Sequence, residues 1–522
     1  MTAQLKHSAT PQLTSADYLR EILISPVYEA AQVTPLQPLA KLSQRLGNQV
    51  LLKREDHQPV NSFKLRGAYN MMAKLPQAER EQGVITASAG NHAQGVALSA
   101  TKLKMRAVIV MPAITPDIKV EAVRHLGGEV ILHGNNFDEA KSHAEQLASE
   151  QQLTFVPPFD HPQVITGQGT IGMELLQQNS QLDYIFVPVG GGGMAAGVSV
   201  LVKQLMPHIR VIGVEAEDSA SMKAALKAGA PTPLSHVGVF ADGVAVRLVG
   251  TETFRLCQQH LDQVITVSND EICAAVKDIF DDCRAVSEPS GAIALAGLKQ
   301  YASKQQLKNQ KMAAVLSGAN VNFHSLRFVS ERCELGEKKE AVLAVTIPER
   351  KGAFLEFCQR IGERVVTEFN YRYSDAERAN IFVGIRLQQG ASELQALMQD
   401  LRDAGYPVAD LSDDEVAKLH VRYMVGGKPS RAIREQLYSF EFPECPGALQ
   451  RFLQTLGTHW NITMFHYRNH GADYGRVLCG FELNPEDILP FCSHLRQLGY
   501  NWRDETGNQA CQFFLSPGAS DA

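Results

Sequence analysis

Between about residue 47 and residue 320 the chain alternates two textures. Short apolar, β-branched runs appear at Val50-Leu51-Leu52, Val84-Ile85-Thr86, Ala107-Val108-Ile109-Val110-Met111, Glu129-Val130-Ile131-Leu132, Tyr184-Ile185-Phe186-Val187, Val211-Ile212-Gly213-Val214 and Ala313-Ala314-Val315-Leu316. Between them lie stretches such as 118–126 and 137–150, whose apolar residues recur three and four apart. The first texture predicts buried strands, the second amphipathic helices. Strands alternating with helices predict an α/β fold with a mostly parallel sheet covered on both faces. Such sheets bind ligands in the loops beyond the carboxyl ends of their strands.

A charged run at 331–340 breaks this pattern and reads as a linker, or equally as a solvated helix face. Past it the sequence repeats itself. Ile347-Pro348-Glu349-Arg350-Lys351-Gly352-Ala353 returns 95 residues later as Phe442-Pro443-Glu444-Cys445-Pro446-Gly447-Ala448. Phe357 pairs with Phe452 and Gly362 with Gly457. After a one-residue shift, Phe369-Asn370-Tyr371-Arg372 matches Phe465-His466-Tyr467-Arg468. Each unit reads as strand, Pro-x-x-x-Gly turn, helix, strand, strand, and a register this long indicates duplicated modules. Their expected bounds are 341–425 and 435–515, behind a larger domain at 18–330.

Composition narrows the classes. Hydrophobic residues make up 44% of the 522 and charged residues 20%, an ordinary globular balance. A net charge of −6 gives no electrostatic footprint for nucleic acid. No apolar run reaches the length of a membrane span, and residues 1–17 read as a disordered tail. The nine cysteines are scattered, odd in number and without a CxxC pair. They fit reduced thiols in a cytoplasmic protein better than disulfides, and no metal site is read from them.

Four strand-end loops carry candidate chemistry. After the strand at residues 50–54 comes Asn61-Ser62-Phe63-Lys64-Leu65-Arg66-Gly67-Ala68, where Asn-Ser reads as a helix N-cap and puts Lys64 in the first turn. The positive end of the helix dipole disfavours the charged ammonium there, which suits a lysine that must attack an aldehyde. Taken alone, Lys64 reads more readily as a solvated surface lysine. Ser88-Ala89-Gly90-Asn91-His92 opens another helix and can seat an anion such as a carboxylate, or is simply a tight turn. Gly190-Gly191-Gly192-Gly193-Met194 is costly as an ordinary loop and makes sense where backbone N–H groups wrap a phosphate. Gly190-x-Gly192-x-x-Ala195, with Glu215 at the end of the next strand, also satisfies a dinucleotide fingerprint, so a nicotinamide enzyme stays open. Ser317-Gly318 offers a hydroxyl to a ring nitrogen or is a plain turn. Glu288 reads as a first-turn acid.

Together the four segments resemble the tryptophan-synthase-β-like, fold type II pyridoxal phosphate enzymes, and among them the biosynthetic threonine dehydratases. The resemblance covers about residues 20–325 and implies two open α/β sub-domains. It implies Lys64 as the Schiff-base lysine of pyridoxal 5′-phosphate, with Asn91 on the ring oxygen. Gly190, Gly191, Gly192, Gly193 and Met194 would hold the phosphate and Ser317 the pyridine nitrogen. Ser88, Ala89, Gly90, Asn91 and His92 would hold the substrate carboxylate. The activity implied is β-elimination from L-threonine, and also L-serine, to a 2-oxoacid and ammonia. Serine racemases of this fold carry a serine where this chain has Ala89, so elimination without racemisation is expected. The repeats resemble ACT-like regulatory modules, which implies inhibition by isoleucine countered by valine, with Tyr371 and Tyr467 lining the effector sites, in a homotetramer. An amino-acid sensor whose α/β half has lost its chemistry is a further reading. Glu215 and Asp218 are a thin suggestion of a cation site.

Overall fold

The computed structural model describes residues 12–323, 325–348, 356–357, 360–362, 364, 366–372, 378–423, 434–443, 460–468 and 474–515. The chain divides into two compact units, Met1–Val321 and Asn322–Ala522.

The first unit holds two sheets. The larger is built from β1 (Leu36–Pro38), β2 (Gln49–Arg54), β7 (Tyr184–Pro188), β8 (Arg210–Ala216), β9 (Gln263–Val267) and β10 (Lys311–Leu316). Its order is β1-β2-β10-β7-β8-β9, parallel except for the β1 edge. The smaller contains β3 (Val84–Ala87), β4 (Ala107–Met111), β5 (Glu129–Leu132) and β6 (Thr154–Phe155), in order β5-β4-β3-β6, all parallel. The two open α/β sub-domains expected from the sequence are therefore present. β1, β6 and β9 were not read from the sequence; β1 and β6 span only three and two residues.

Alternation along β4 shows why both sheet faces are covered. Ile109 and Met111 pack with Ala93, Val96 and Ala97 of helix Asn91–Leu103. Val108 and Val110 point the other way, onto Ala140 and Ala144 of helix Phe137–Gln151. Successive strand residues alternate faces, so a run apolar at every position must be buried twice. Each such side chain contributes about 1.5–3 kcal/mol by leaving water.

Helix Lys64–Ala73 lies where the sub-domains meet and touches both helix Asn91–Leu103 and helix Pro162–Gln178. Two glycines allow the second contact. A Cβ on Gly67 would fall 2.4 Å from Gln168 Nε2, and one on Gly167 would fall 2.4 Å from the Arg66 carbonyl. Beneath this helix sits a buried ionic cluster. Arg66 Nε donates to Glu55 at 2.7 Å and Arg66 Nη1 to Glu174 at 2.6 Å, while Lys53 Nζ meets Glu174 at 2.5 Å. All four side chains are fully buried, and the two positive charges balance the two negative ones.

The second unit repeats one motif. In the first module β11 (Glu340–Pro348), β12 (Val366–Arg372), β13 (Arg378–Arg386) and β14 (Val408–Asp410) form an antiparallel sheet ordered β12-β13-β11-β14. In the second, β15 (Glu435–Pro443), β16 (Asn461–Arg468), β17 (Tyr474–Glu482) and β18 (Asn501–Asp504) are ordered β16-β17-β15-β18. Even an irregularity is duplicated, lying between Val366 and Glu368 in one module and Ile462 and Met464 in the other. Tyr371 lies opposite Ile381 and Tyr467 opposite Val477, so the two tyrosines hold the same register position. Each module also has a helix between its third and fourth strands, Ala391–Asp403 or Ile488–Leu498, which the sequence pattern does not predict. Most of each Pro-x-x-x-Gly turn (349–352 and 444–447) lies outside the described residues. The modules share a core in which Val342, Ala344 and Phe382 meet Leu437, Leu478, Ala510 and Cys511.

Two expected boundaries shift. The supposed linker at 331–340 continues helix Ser325–Gly336 and then enters β11, and Arg332, Cys333, Leu335 and Glu340 are buried, so the run is neither a linker nor a solvated helix face. The tail expected to reach residue 17 ends earlier, because Thr14 and Asp17 form a capping box that starts helix Ser15–Leu23. Residues 1–11 lie outside the described residues.

Candidate active site

Lys64 is the first residue of its helix, as read from the sequence, but the cap differs. Phe63 is the N-cap and makes no side-chain cap bond. Asn61 instead adopts a left-handed backbone, with φ of 52°, and the buried Ser62 hydroxyl has no hydrogen-bond partner among the described residues. Backbone bonds to the β10 loop do the work the cap was expected to do. Phe63 N–H donates to the Ser317 carbonyl at 3.1 Å and Ala319 N–H to the Asn61 carbonyl at 2.9 Å, around a bridge between Ser62 and Gly318. The lysine loop and the Ser317 loop are thus one zipped unit.

Lys64 Nζ donates to the Pro158 carbonyl at 3.1 Å. Burial lowers its pKa from the ordinary lysine range to about 8, with Glu288 opposing the shift. His92, in the first turn of helix Asn91–Leu103, is buried 2.9 Å from the Val156 carbonyl, measured from Nε2. A carbonyl can only accept, so Nε2 carries the proton. Burial, then the nearby Lys64 charge, push the His92 pKa down to about 3, and the ring is neutral at physiological pH.

The glycine loop follows β7, and Gly192 caps helix Gly193–Leu205 in the left-handed region, at φ 91°. The loop has no room for side chains on its protein side. A Cβ on Gly191 would fall 2.2 Å from the Phe159 ring, and one on Gly190 2.9 Å from Val244 Cα. Thr253 Oγ1 donates to the Gly191 carbonyl at 2.7 Å and fixes its direction. Helix Gly193–Leu205 leaves its first N–H groups without intrahelical partners, as every helix does. Gly90, by contrast, has open space where a Cβ would be.

Asn91 is held at both ends of its amide. Its Nδ2 donates to Glu288 Oε1 at 2.7 Å and its Oδ1 accepts from Asn320 at 2.6 Å. Glu288 also accepts from Ser290 Oγ at 3.0 Å, and Ser317 Oγ reaches the Ser290 carbonyl at 3.4 Å. Burial, then repulsion from Asp242, raise the Glu288 pKa to about 7. The sequence predicts a helix-start acid at Glu288. It does occupy the N-cap of helix Pro289–Lys304, but its side chain caps nothing and faces Asn91. Asn320 stands in the Ser317-Gly318-Ala319-Asn320 motif with no role of its own read from sequence, while Pro158 and Phe159 are not marked by any motif and reach the site only across the fold.

Glu215 decides against the dinucleotide reading. Its carboxylate accepts from Met222 N–H at 2.7 Å and Lys223 N–H at 2.9 Å, so it holds the start of helix Ser221–Ala228 rather than facing a ribose. What remains is a cleft with an amine of lowered pKa, a glycine cradle that side chains would fill, a helix start with open space, and a serine hydroxyl. That set fits pyridoxal 5′-phosphate, with Lys64 for its aldehyde, Gly190–Met194 for its phosphate and Ser317 for its ring nitrogen. The fold and cleft define a pyridoxal-phosphate dependent enzyme of fold type II.

Comparison with known proteins narrows this class. Residues 27–318 match the family described as pyridoxal-phosphate dependent enzyme. Residues 331–421 and 426–515 match the C-terminal regulatory domain of threonine dehydratase. The chain is 65% identical over 501 residues to the L-threonine dehydratase biosynthetic IlvA of Salmonella typhimurium, covering 96% of this chain and 97% of that protein. It is 50% identical to the mitochondrial threonine dehydratase of Saccharomyces cerevisiae, covering 98% and 92%. The structure of the processed form of threonine deaminase isoform 2 from Solanum lycopersicum superposes with a TM-score of 0.60 at 51% identity, covering 61% of this chain and 92% of that one. The chain belongs to the biosynthetic threonine dehydratase family.

Proposed function

We propose that this chain eliminates water from L-threonine and releases 2-oxobutanoate and ammonia, the entry step of isoleucine synthesis. The observation that carries this is the Lys64 amine, more readily neutral through burial, bonded to Pro158 next to the Phe159 that packs against the glycine cradle, and close to His92 at the Asn91 helix start. Pyridoxal 5′-phosphate, when bound, supplies the electron sink that lets the substrate α-proton and β-hydroxyl depart. Lys64 Nζ is the base that takes the α-proton. The Ser88–His92 segment seats the substrate carboxylate, with the first-turn N–H groups of Asn91 and His92 aided by the helix dipole. Neutral His92 adds no second charge there. Ser317 would offer the ring nitrogen a neutral hydroxyl, a partner that does not protonate it, which suits elimination over reactions that need a stronger electron sink. Ala89 places no acid–base group opposite Lys64, which supports elimination over racemisation, and L-serine is a second substrate.

The duplicated modules support a regulatory reading in which isoleucine inhibits and valine opposes it, with Tyr371 and Tyr467 at matching positions on the effector sites. Regulation of this kind requires isoleucine to bind the less active state more tightly. The assembly is a homotetramer in the cytoplasm. Among the described residues no helix is long and apolar enough to cross a membrane. The test is direct: the purified protein with L-threonine forms 2-oxobutanoate and ammonia in equal amounts. Formation of D-allothreonine, the Cα-inverted isomer, or of no 2-oxoacid contradicts the proposal.

A further inference from the structure

One hydrogen-bonded chain crosses the cleft and fixes the orientation of a side chain that cannot fix itself. Asn320 Nδ2 lies 2.8 Å from the Val60 carbonyl, which can only accept, so the amide nitrogen of Asn320 must face that way. The same nitrogen meets Asn91 at 2.6 Å, so Asn91 must present its oxygen there. The Asn91 NH2 is then forced toward Glu288 Oε1, at 2.7 Å. Ser290 Oγ donates to that same oxygen at 3.0 Å. Glu288 is buried, and a Cβ on Gly318 would fall 2.5 Å from its Oε1, so the carboxylate has little freedom to turn away. One Asn91 N–H is consumed by Glu288. The other finds no acceptor among the described residues and is left for a ligand.

Accordingly we propose that Glu288 and Asn320 are positioning residues that lock the Asn91 amide in a single orientation, with its remaining N–H presented to the ring oxygen of the cofactor. This rests on the reading of Asn91 as the ring-oxygen contact. The clamp joins the lysine loop at Val60, the helix start at Asn91, the helix beginning at Pro289 and the β10 loop. Lys64 and its cofactor contact are therefore set by one network rather than by separate loops. Asn91 alone, on a rotatable bond, could offer either its oxygen or its nitrogen, and an oxygen there would repel the ring oxygen.

The test uses the full-length holoenzyme and reads the visible absorption maximum and the dissociation constant for pyridoxal 5′-phosphate, with the thermal midpoint as a folding control. Asn91→Ala is expected to weaken cofactor binding about tenfold, the scale of one lost buried hydrogen bond, and to move the band. Glu288→Ala and Asn320→Asp should move the band in the same direction. Glu288→Gln should restore it, since its amide oxygen can still accept from Asn91 and Ser290. The double variant Asn91→Ala/Glu288→Ala should be no worse than Asn91→Ala. If Asn91→Ala changes neither band nor affinity, the reading of Asn91 fails. If Asn91→Ala changes them while Glu288→Ala and Asn320→Asp do not, or the double variant is additive, the clamp is overturned. Should Glu288→Ala not fold, Asn320→Asp carries the same decision from the other end.

Discussion

The residue that matters most acts through a shift in its own protonation. Lys64 loses part of its charge to burial, with a pKa of about 8 against about 10.4 for a free lysine. A lowered lysine pKa means the neutral amine is fully present above the folded value and lost as pH falls through it. The rate at which apo-protein recaptures pyridoxal 5′-phosphate should therefore rise with a midpoint near pH 8 and level off above it. Stopped-flow absorbance would check this, and a rise continuing past pH 10 would contradict it. A second residue effect concerns stability. Removing Glu174 leaves Arg66 and Lys53 buried with one carboxylate between them. Glu174→Ala should destabilise the first unit by about 3–5 kcal/mol, measured by denaturant unfolding. Lys64 and Asn91 were legible in sequence because each stands in a short segment just past a strand. Glu288 was not, because its partner Asn91 lies 197 residues away and nothing local marks the pairing. Pro158 was hidden for the same reason, 94 residues from Lys64.

At the scale of elements, the glycine loop shows how a motif can be recognised while its support is not. Four consecutive glycines at a strand-to-helix turn pointed to a phosphate cup. The reason each must be glycine lies in neighbours such as Phe159, whose ring occupies the space of a Gly191 side chain. Gly191→Ala should push Phe159 and the adjoining Pro158 carbonyl aside and weaken cofactor affinity at least tenfold, with equilibrium dialysis as the check. Binding unchanged from wild type would contradict that packing role. The zipped loops at Ser62 and Gly318 make a similar point. Sequence placed an Asn-Ser cap before Lys64, whereas backbone pairing with the Ser317 loop supplies the order and leaves Ser62 Oγ without a hydrogen-bond partner among the described residues. Capping preference is a local rule, and a long-range pairing overrode it.

For the molecule as a whole, the repeat told the sequence reading that two like modules follow the α/β unit. It did not reveal the fourth strand of each or the helix before it, because Ala391–Asp403 and Ile488–Leu498 share a fold position but almost no residues. Register then adds what alignment alone left as an expectation, placing Tyr371 and Tyr467 on equivalent rungs. If these positions bind effectors, Tyr371→Ala and Tyr467→Ala should each raise the isoleucine concentration for half-inhibition by about fivefold or more, the scale of an ordinary allosteric coupling. Uninhibited turnover should stay the same. Unchanged inhibition in both variants would remove the tyrosines from the regulatory account.

Everything here turns on Lys64 as the point where the cofactor joins the chain. Reduction of the holoenzyme with borohydride, followed by proteolysis and mass spectrometry, tests it most directly. The expected result is a pyridoxyl-phosphate adduct on Lys64, with loss of the visible band, and neither adduct nor band in Lys64→Ala. An adduct on another lysine, or a Lys64→Ala variant that keeps the band and converts threonine, would contradict it.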